Sequence, residues 1–467
     1  MKEQDIDFAT VRVGKLFGKL FIPTLLGMLG MSAMTAIDGV FIGHCVGSDG
    51  IAAVNIIVPL IMLLTGVSLM IGTGSSVTAS VLLARGCPKL ARLHVTQAMA
   101  FASLVAVAFM APLLLFPDEA ARLLGASEHL VPMVREYMVW YVPSWLFLVW
   151  TGVALFAIRL DGAPRTAMTC SLVAAVMNIV LDWLFMFPLG WGLMGGALAT
   201  SLSTASGGLI AVAYLLRHAG RLRLHPLKMS RKSMRFAVRN IGVQCRIGSS
   251  ALLGEATLAV LMLTGNLVFM HYLGDDGVGA FGLVCYYMPF IFMVGNAIAQ
   301  SAQPIISYNF GLGLNQRTRA AEQVALLTAL VCGATVSAVF MLLPHELTAL
   351  FLDPDTPAAR LAIRGFPLFA SGYLCFVFNI TAIGYFQSVE RLRPATTFAL
   401  LRGLVVLVPS FVLLPRLMGE AGIWLAMPLA EGLTTLAVIA FYAAGRTPSR
   451  HRHAGQPAVN GNATGQP

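Results

Sequence analysis

Long apolar stretches alternate with short polar segments along most of the chain. A helix needs about 20 mainly apolar residues to cross the hydrocarbon core of a membrane, and twelve stretches reach that length. Hydrophobic residues make up 57% of the chain and charged residues only 11%, which excludes an ordinary soluble domain. The pattern predicts an all-α polytopic membrane protein with twelve spans. They cover residues 20–43, 51–83, 94–116, 131–158, 166–188, 195–217, 241–272, 277–309, 320–343, 364–387, 395–415 and 421–444.

Positive charge is distributed unevenly among the segments that connect the spans. If the N-terminus is cytoplasmic, the segments on its side carry 24 of the 31 Lys and Arg residues, and the other side carries five. Lys and Arg accumulate in the cytoplasmic loops of membrane proteins. We therefore expect both termini to lie in the cytoplasm. The net charge of +10 then reflects topology and contact with anionic membrane lipids, and no nucleic-acid partner is expected.

The longest basic connection lies between the sixth and seventh spans and divides the chain. It predicts an N-lobe at residues 20–217, a basic cytoplasmic inter-lobe loop at 218–240 and a C-lobe at 241–444. Residues 1–19 are predicted to form a cytoplasmic segment. Residues 445–467 are polar and rich in Gly and Pro, which predicts a disordered cytoplasmic tail.

The two halves resemble each other in sequence. The stretch DGVFIGHCVGSDGIAA from Asp38 is similar to NLVFMHYLGDDGVGA from Asn266, and beyond these turns an offset of 227 residues aligns Gly86 with Gly313. Each half has six spans, so both halves have the same orientation. This predicts parallel repeats related by an axis along the membrane normal, as in alternating-access transporters.

Two polar residues lie inside the fifth predicted span. Asn178 and Asp182 are four residues apart and share one face of a helix. A carboxylate at the centre of a membrane helix costs roughly 2.5–3.5 kcal/mol on insertion scales, so such residues usually face a bundle interior or an ion path. Thr200, at a similar depth in the sixth span, adds a hydroxyl oxygen, and together these oxygens suit a proton or a hard cation. The same pair is also compatible with hydrogen bonding to a neighbouring helix.

Other kinds of chemistry have no support in the sequence. The seven cysteines occur singly, without CxxC or His-bracketed spacing, so we expect neither a disulfide framework nor a metal site beyond possible Na⁺. The motifs HExxH, GxSxG and GxxxxGK[ST] are absent from the sequence. The chain is therefore expected not to be an enzyme and to need no cofactor.

Several motifs in fixed order resemble one known family. AIDGVFIGHCVGSDGIAA, LDGAPRTAM followed by NIVLD and GLMGGALATSLS, and QPIISYNFGLG resemble the multidrug and toxic compound extrusion (MATE) family, and within it the DinF and MepA-like bacterial branch. The resemblance implies two six-helix lobes and a monomeric antiporter of the bacterial inner membrane, driven by H⁺ or Na⁺. Such a protein exports amphipathic, often cationic, drugs or toxic metabolites by alternating access. A lipid-linked precursor flippase or a dedicated metabolite exporter of the same superfamily is the alternative.

The resemblance also assigns a cation-binding site. It comprises Asp38, Asn178, Asp182 and Thr200, and the predicted topology places all four residues at one depth in the outer half of the membrane. Pro23 in the first span would act as a hinge, because proline leaves a backbone carbonyl without its partner.

The second lobe gives a less complete pattern. Glu255 matches an acid that the NorM-like branch uses for cations, but residues 371–387 contain no partner acid, so a second cation site, substrate binding and a structural role all stay open. Arg402 and Glu431 are placed at different depths, so no direct pair is expected between them. Soft and aromatic side chains suit a promiscuous cavity. The candidates for substrate contact are Tyr141, Trp145, Met288, Phe292 and Met62.

Overall fold

The computed structural model describes residues 7–227, 230–351 and 355–444, and helices dominate them. Among these residues, eleven helices are long and apolar enough to span a membrane. Two further helices, Pro357–Ala370 and Tyr373–Ser388, meet at 47° and together form a twelfth, bent span. The predicted all-α fold is confirmed. The predicted tail at 445–467 and the first six residues lie outside the described part of the chain.

The helices follow the predicted spans closely in order and length. In the first half they are α1 Val13–Cys45, α2 Ser48–Ala84, α3 Pro88–Leu115, α4 Pro117–Leu123, α5 Val131–Tyr141, α6 Trp145–Leu160, α7 Pro164–Met186 and α8 Gly192–Ala213. In the second half they are α9 Arg231–Gly311, α10 Asn315–Leu342, α11 Pro344–Ala349, α12 Pro357–Ala370, α13 Tyr373–Ser388, α14 Leu392–Leu400, α15 Leu407–Met418 and α16 Glu420–Ala443.

Several helices begin earlier than the sequence pattern indicates, and α1 and α9 are two examples. Residues 13–19 and 231–240 are helical, although they carry several charges and precede the predicted first and seventh spans. Only the part of a helix inside the hydrocarbon must be apolar, and a helix satisfies its own backbone hydrogen bonds beyond it. The basic inter-lobe segment is therefore partly the start of α9.

The internal repeat is visible in the helix boundaries. Pro88 and Asn315 begin α3 and α10, and Pro117 and Pro344 begin the short helices α4 and α11. Each pair is separated by the offset of 227 residues found in the sequence. The two halves thus repeat the same succession of elements.

The first turn of each half depends on a glycine. Gly47 has φ 85° and ψ −163°, and Gly274, inside α9, has φ 65° and ψ −153°. A side chain would be strained in this region of backbone space, so glycine is favoured at both positions. Gly274 also divides α9 into two spanning parts, its first half to Gly274 and its second half from Asp276.

The hydrophobic core forms two clusters, one for each half of the chain. The beginning of the chain is an exception, because Phe8, Leu16 and Leu20 belong to the core of the second half. The side chains of Asn309 and Arg317 donate to the carbonyl oxygen of Phe8, at 3.0 and 3.2 Å. The first part of α1 is therefore attached to the C-lobe.

The later part of α1 packs in the other lobe. Gly27 lies against Met168 and Ser171 of α7, and Ile42 belongs to the core of the first half. Helix α1 consequently links the two lobes, and Pro23 lies between its two contact regions.

The lobes meet where α2 packs along α9. A Cβ atom at position 74 would collide with the backbone of Gln244, and a Cβ atom at position 248 would collide with the backbone of Met70. Glycine at both positions therefore lets the two helices approach closely. These contacts lie toward the face of the bundle at which α2 and α9 end, at Ala84 and Gly311. We call it the basic face, because the predicted basic segments lie there.

Candidate functional site

Three of the predicted cation-site residues come together through α7 and α8. Asn178 and Asp182 lie one turn apart on α7, and both are 0% exposed. The amide nitrogen of Asn178 donates to the hydroxyl oxygen of Thr200 on α8 at 3.3 Å. The spacing in the sequence therefore does place amide, carboxylate and hydroxyl groups in one buried cluster.

The fourth residue, Asp38, reaches this cluster from α1. Its carboxyl group and that of Asp182 lie within hydrogen-bonding reach of each other once one of them carries a proton. Among the described residues, Oδ1 of Asp38, both carboxyl oxygens of Asp182 and Oδ1 of Asn178 are buried without a donor. Four acceptor oxygens thus lie in the protein interior with nothing to accept from.

This arrangement is electrostatically incomplete without a positive partner. Two ionised carboxylates that face each other away from water repel, and each buried acceptor without a donor costs about 1–3 kcal/mol. A shared proton relieves both costs. A hard cation such as Na⁺ does the same, because carboxylate, amide and hydroxyl oxygens are the ligands that hard cations take.

Two tyrosines of α5 lie beside the pair of aspartates. Tyr137 and Tyr141 are 2% and 6% exposed, and both lie close enough to Asp38 to interact with its charge. Their ring centroids are 5.4 Å apart, and Tyr141 makes an edge contact with Trp145 at 6.2 Å. Tyr141 is a predicted substrate contact, whereas Tyr137 is missing from the predicted set. The spacing of 137, 141 and 145 on one helical face is the signal that could have found it.

The predicted substrate residues do not share one location. Phe292 lines a narrow cavity between the lobes, while Met288 is 1% exposed in the core of the second lobe. Trp145 is fully buried in the first lobe, and Met62 lies half-buried on α2. Their roles in substrate contact stay predictions.

Glu255 is buried in the first half of α9, beside Gly66 of α2. Its Oε1 atom has no hydrogen-bond donor within the described part of the chain. The location fits a contact between the lobes, and the three roles considered for Glu255 stay open.

The prediction for Arg402 and Glu431 is wrong. Arg402 Nη2 lies 2.8 Å from Glu431 Oε1, and the two side chains are 2% and 3% exposed. The π-helical turn that carries Arg402, Leu401–Val405, packs directly against α16, so the two side chains meet although counting residues along each span predicts different depths. Asn379 donates to Glu431 Oε2 at 2.7 Å, and the guanidinium of Arg402 lies over the ring of Phe376. Both carboxyl oxygens of Glu431 thus have donors, unlike those of Asp182 in the first lobe.

Comparison with known proteins identifies the family of the chain. The sequence profile of the MatE family matches the chain twice, over residues 23–184 and 251–412, two segments of equal length. The chain belongs to the MatE family. The two matches coincide with the internal repeat, and the family assigns the chain to integral membrane transporters rather than to enzymes.

Relatives within the MatE family cover almost the whole chain. The multidrug export protein MepA of Staphylococcus aureus is 23% identical over 94% of this chain and 95% of that protein. An FAD transporter of Shewanella oneidensis is 24% identical over 91% of this chain and 93% of its own length. The solved structure of a MOP superfamily transporter from Pyrococcus furiosus matches the fold with a TM-score of 0.86 at 19% identity, covering 95% of this chain and 98% of that one. The chain is thus a bacterial MepA-like MATE transporter.

Proposed function

We propose that this protein is a cation-coupled antiporter that exports amphipathic drugs or toxic metabolites, and that Asp38 and Asp182 bind the coupling ion, H⁺ or Na⁺. The observation that carries the proposal is the pair of facing carboxyl groups whose buried oxygens lack donors. Such a pair binds a positive ion from one side of the membrane and must release it on the other. Asn178 and Thr200 supply the remaining oxygens.

The architecture of α1 connects ion binding to movement of the lobes. Its later part carries Asp38 against α7, while its first part is attached to the C-lobe near Phe8. Pro23 lies between them and has no N–H to donate to the carbonyl of Lys19, which makes a bend in the helix inexpensive. Neutralising Asp38 and Asp182 changes the packing of α1 on α7, and α1 transmits that change to the C-lobe.

Transport by purified protein in liposomes tests the proposal. A proton or sodium gradient is imposed separately, and uptake of an amphipathic dye is followed for wild type, Asp38→Asn and Asp182→Asn. We expect one gradient to drive uptake by wild type and both variants to lose that stimulation. Asp49→Asn is the matched control, because Asp49 is exposed and its ion-pair partner among the described residues is exposed His129 at 3.1 Å. Undiminished gradient-driven transport in both site variants would contradict the proposal.

A dedicated metabolite exporter is the second candidate. The observation in its favour is that a relative covering nearly the whole chain is an FAD transporter. The same liposomes distinguish the two candidates when a flavin nucleotide and a set of drug-like dyes are compared at equal concentration. Transport of several unrelated dyes supports the multidrug proposal. Transport of the flavin nucleotide alone supports the dedicated exporter.

We also propose that the protein acts as a monomer in the bacterial cytoplasmic membrane, with its basic face in the cytoplasm and in contact with anionic lipid. The uneven distribution of Lys and Arg supports this orientation. A reporter that is fluorescent only in the cytoplasm, fused after residue 444, should be fluorescent. A dark reporter at normal expression, with activity from a periplasmic reporter at the same position, would reverse the orientation.

A further inference from the structure

A narrow cavity lies between the lobes, toward the basic face, and polar groups line much of it. It is enclosed by α2, α6, both halves of α9, α13 and α14. No Asp or Glu is among its described lining residues, and its one charged lining residue, Arg402, is neutralised by Glu431. The polar lining residues are Thr73, Ser250, Thr257, Asn296, Gln300, Gln303 and Gln387.

A second arginine, Arg159, contacts the residues that line the cavity from the side facing away from it. Arg159 of α6 is only 4% exposed, and its Nη1 donates to Oε1 of Gln300 at 2.7 Å. Its guanidinium carbon lies 5.5 Å from the ring centre of Phe156. Gln300 and Phe156 both line the cavity, so the positive charge of Arg159 is next to it. The sequence pattern alone assigned Arg159 to a topology-setting loop.

The charge of Arg159 has no counter-charge within the described residues, where its polar partner is the neutral amide of Gln300. Its Nε atom is buried without an acceptor. A buried charge is strongly unfavourable unless it is paired, and an amide replaces a carboxylate only in part. The fold therefore retains a positive charge that its own side chains do not neutralise.

Two further donors in the cavity also lack acceptors. The amide nitrogen of Asn296 and the hydroxyl of Ser250 are buried without a hydrogen-bond partner among the described residues. Asn296 lies one turn before Gln300 on the second half of α9, while Arg159 belongs to the other lobe. The unsatisfied groups thus include donors from both lobes.

We infer that this cavity binds the anionic group, a carboxylate or a phosphate, of an amphipathic substrate, with Arg159 supplying the charge and Asn296 and Ser250 supplying hydrogen bonds. The inference rests on the proposed exporter function and narrows its substrate class. Arginine suits such groups because its fork of donors matches carboxylate and phosphate oxygens. A group held from both lobes is released when the lobes move apart, as alternating access requires.

Binding of a matched pair of dyes to the purified protein tests this inference. The probes are a rhodamine that carries a free carboxylate and the methyl ester of the same rhodamine, and their affinities are measured by fluorescence anisotropy. Wild type should bind the carboxylate dye more tightly than the ester. Arg159→Gln should weaken binding of the carboxylate dye about tenfold, the effect of losing a charge-assisted hydrogen bond, and change binding of the ester less than about twofold. Arg159→Lys, which keeps the charge, should restore part of the preference.

Controls separate recognition from damage to the fold. Arg165→Gln removes an exposed arginine at the start of α7 and should leave both affinities unchanged. Asn296→Ala removes a donor that has no hydrogen-bond partner among the described residues. It should weaken binding of the carboxylate dye only, and it can be measured even if Arg159→Gln does not fold. A phosphate monoester of the same dye shows which anion binds more tightly.

Two results would overturn the inference. The first is that wild type binds the ester at least as tightly as both anionic dyes. The second is that Arg159→Gln and Asn296→Ala weaken binding of the charged and uncharged dyes equally. Both results are obtained without an ion gradient. They therefore leave the test of Asp38 and Asp182 unaffected.

Discussion

Ser76 of α2 donates a hydrogen bond to Gln303 of α9 at 2.9 Å, and the two residues are 227 positions apart, one repeat of the sequence. Equivalent residues can touch only near the axis that relates the two halves. Ala84 and Gly311 are also one repeat apart and in contact. The lobes therefore meet on their symmetry axis toward the basic face, where α2 crosses its own repeat.

The close approach of the lobes depends on small residues. A leucine at position 74 would meet the backbone of Gln244, so Gly74→Leu should hold the lobes apart at the basic face and abolish transport without unfolding either lobe. The distance between spin labels placed on exposed positions of the two lobes should increase. Gly432→Leu is the control, because a Cβ at Gly432 has open space around it. Normal transport by Gly74→Leu would show that this contact is not needed in the cycle.

Neutralising one of the facing carboxyl groups should stabilise the protein while it removes coupling. Asp182→Asn eliminates the repulsion between two buried charges, worth at least about 1 kcal/mol. At low pH a shared proton already removes this repulsion in wild type. The melting temperature of the variant should therefore exceed that of wild type, and the difference should widen as pH rises. A variant that melts below wild type at every pH would indicate that the two carboxyl groups do not repel.

The ion pair in the second lobe should be a structural requirement. Arg402→Met leaves Glu431 charged in a buried site and should cost about 3–5 kcal/mol. The double variant Arg402→Met with Glu431→Gln should recover much of that loss, because no unpaired charge remains. Thermal unfolding of the two variants measures the difference, with exposed Arg416→Met as the control. Equal losses in both variants would place the cost in packing on Phe376 rather than in charge.

Attachment of the chain start to the C-lobe should matter for coupling. Phe8 is 1% exposed, and its ring packs at a tilt against Tyr308, with ring centroids 5.6 Å apart. The turn that carries it is closed by Asp7, whose pKa is lowered by hydrogen bonds from the Thr10 hydroxyl and the Ala9 amide. Phe8→Ala should cost up to about 3 kcal/mol of local stability and lower the rate of transport.

Hydrogen exchange of residues 7–20 and ion binding to Asp38 and Asp182 check this prediction. Exchange should speed up in Phe8→Ala, while ion affinity stays close to that of wild type. Exposed Lys15→Ala should change neither. Transport at the wild-type rate despite faster exchange would show that coupling does not need the attachment of the chain start to the C-lobe.

Local sequence patterns were sufficient for the fold and for part of the site. The length of the apolar stretches placed the spans, and the repeated Gly47 and Gly274 marked equivalent turns. The spacing of Asn178 and Asp182 placed both on one buried face. All of these features depend on neighbours a few residues away or on a repeat. They need no knowledge of how the helices pack.

The remaining features depend on packing. The sequence pattern does not distinguish a buried arginine such as Arg159 from an exposed basic residue at the end of a helix. The pair of Arg402 and Glu431 forms because the π-turn Leu401–Val405 packs against α16. Tyr137 comes close enough to interact with the aspartates only because α5 packs against α8 and α2. Contacts between distant segments are decided by tertiary structure, which a single sequence does not reveal.

Ion movement driven by a substrate gradient tests the central claim most directly. Liposomes that contain wild type and no ion gradient are given a gradient of transported dye, and internal pH and sodium are followed with indicators. The account predicts that one of the two ions moves opposite to the dye, and that Asp182→Asn abolishes this movement while Asp49→Asn does not. Dye transport by wild type without movement of either ion would contradict the account.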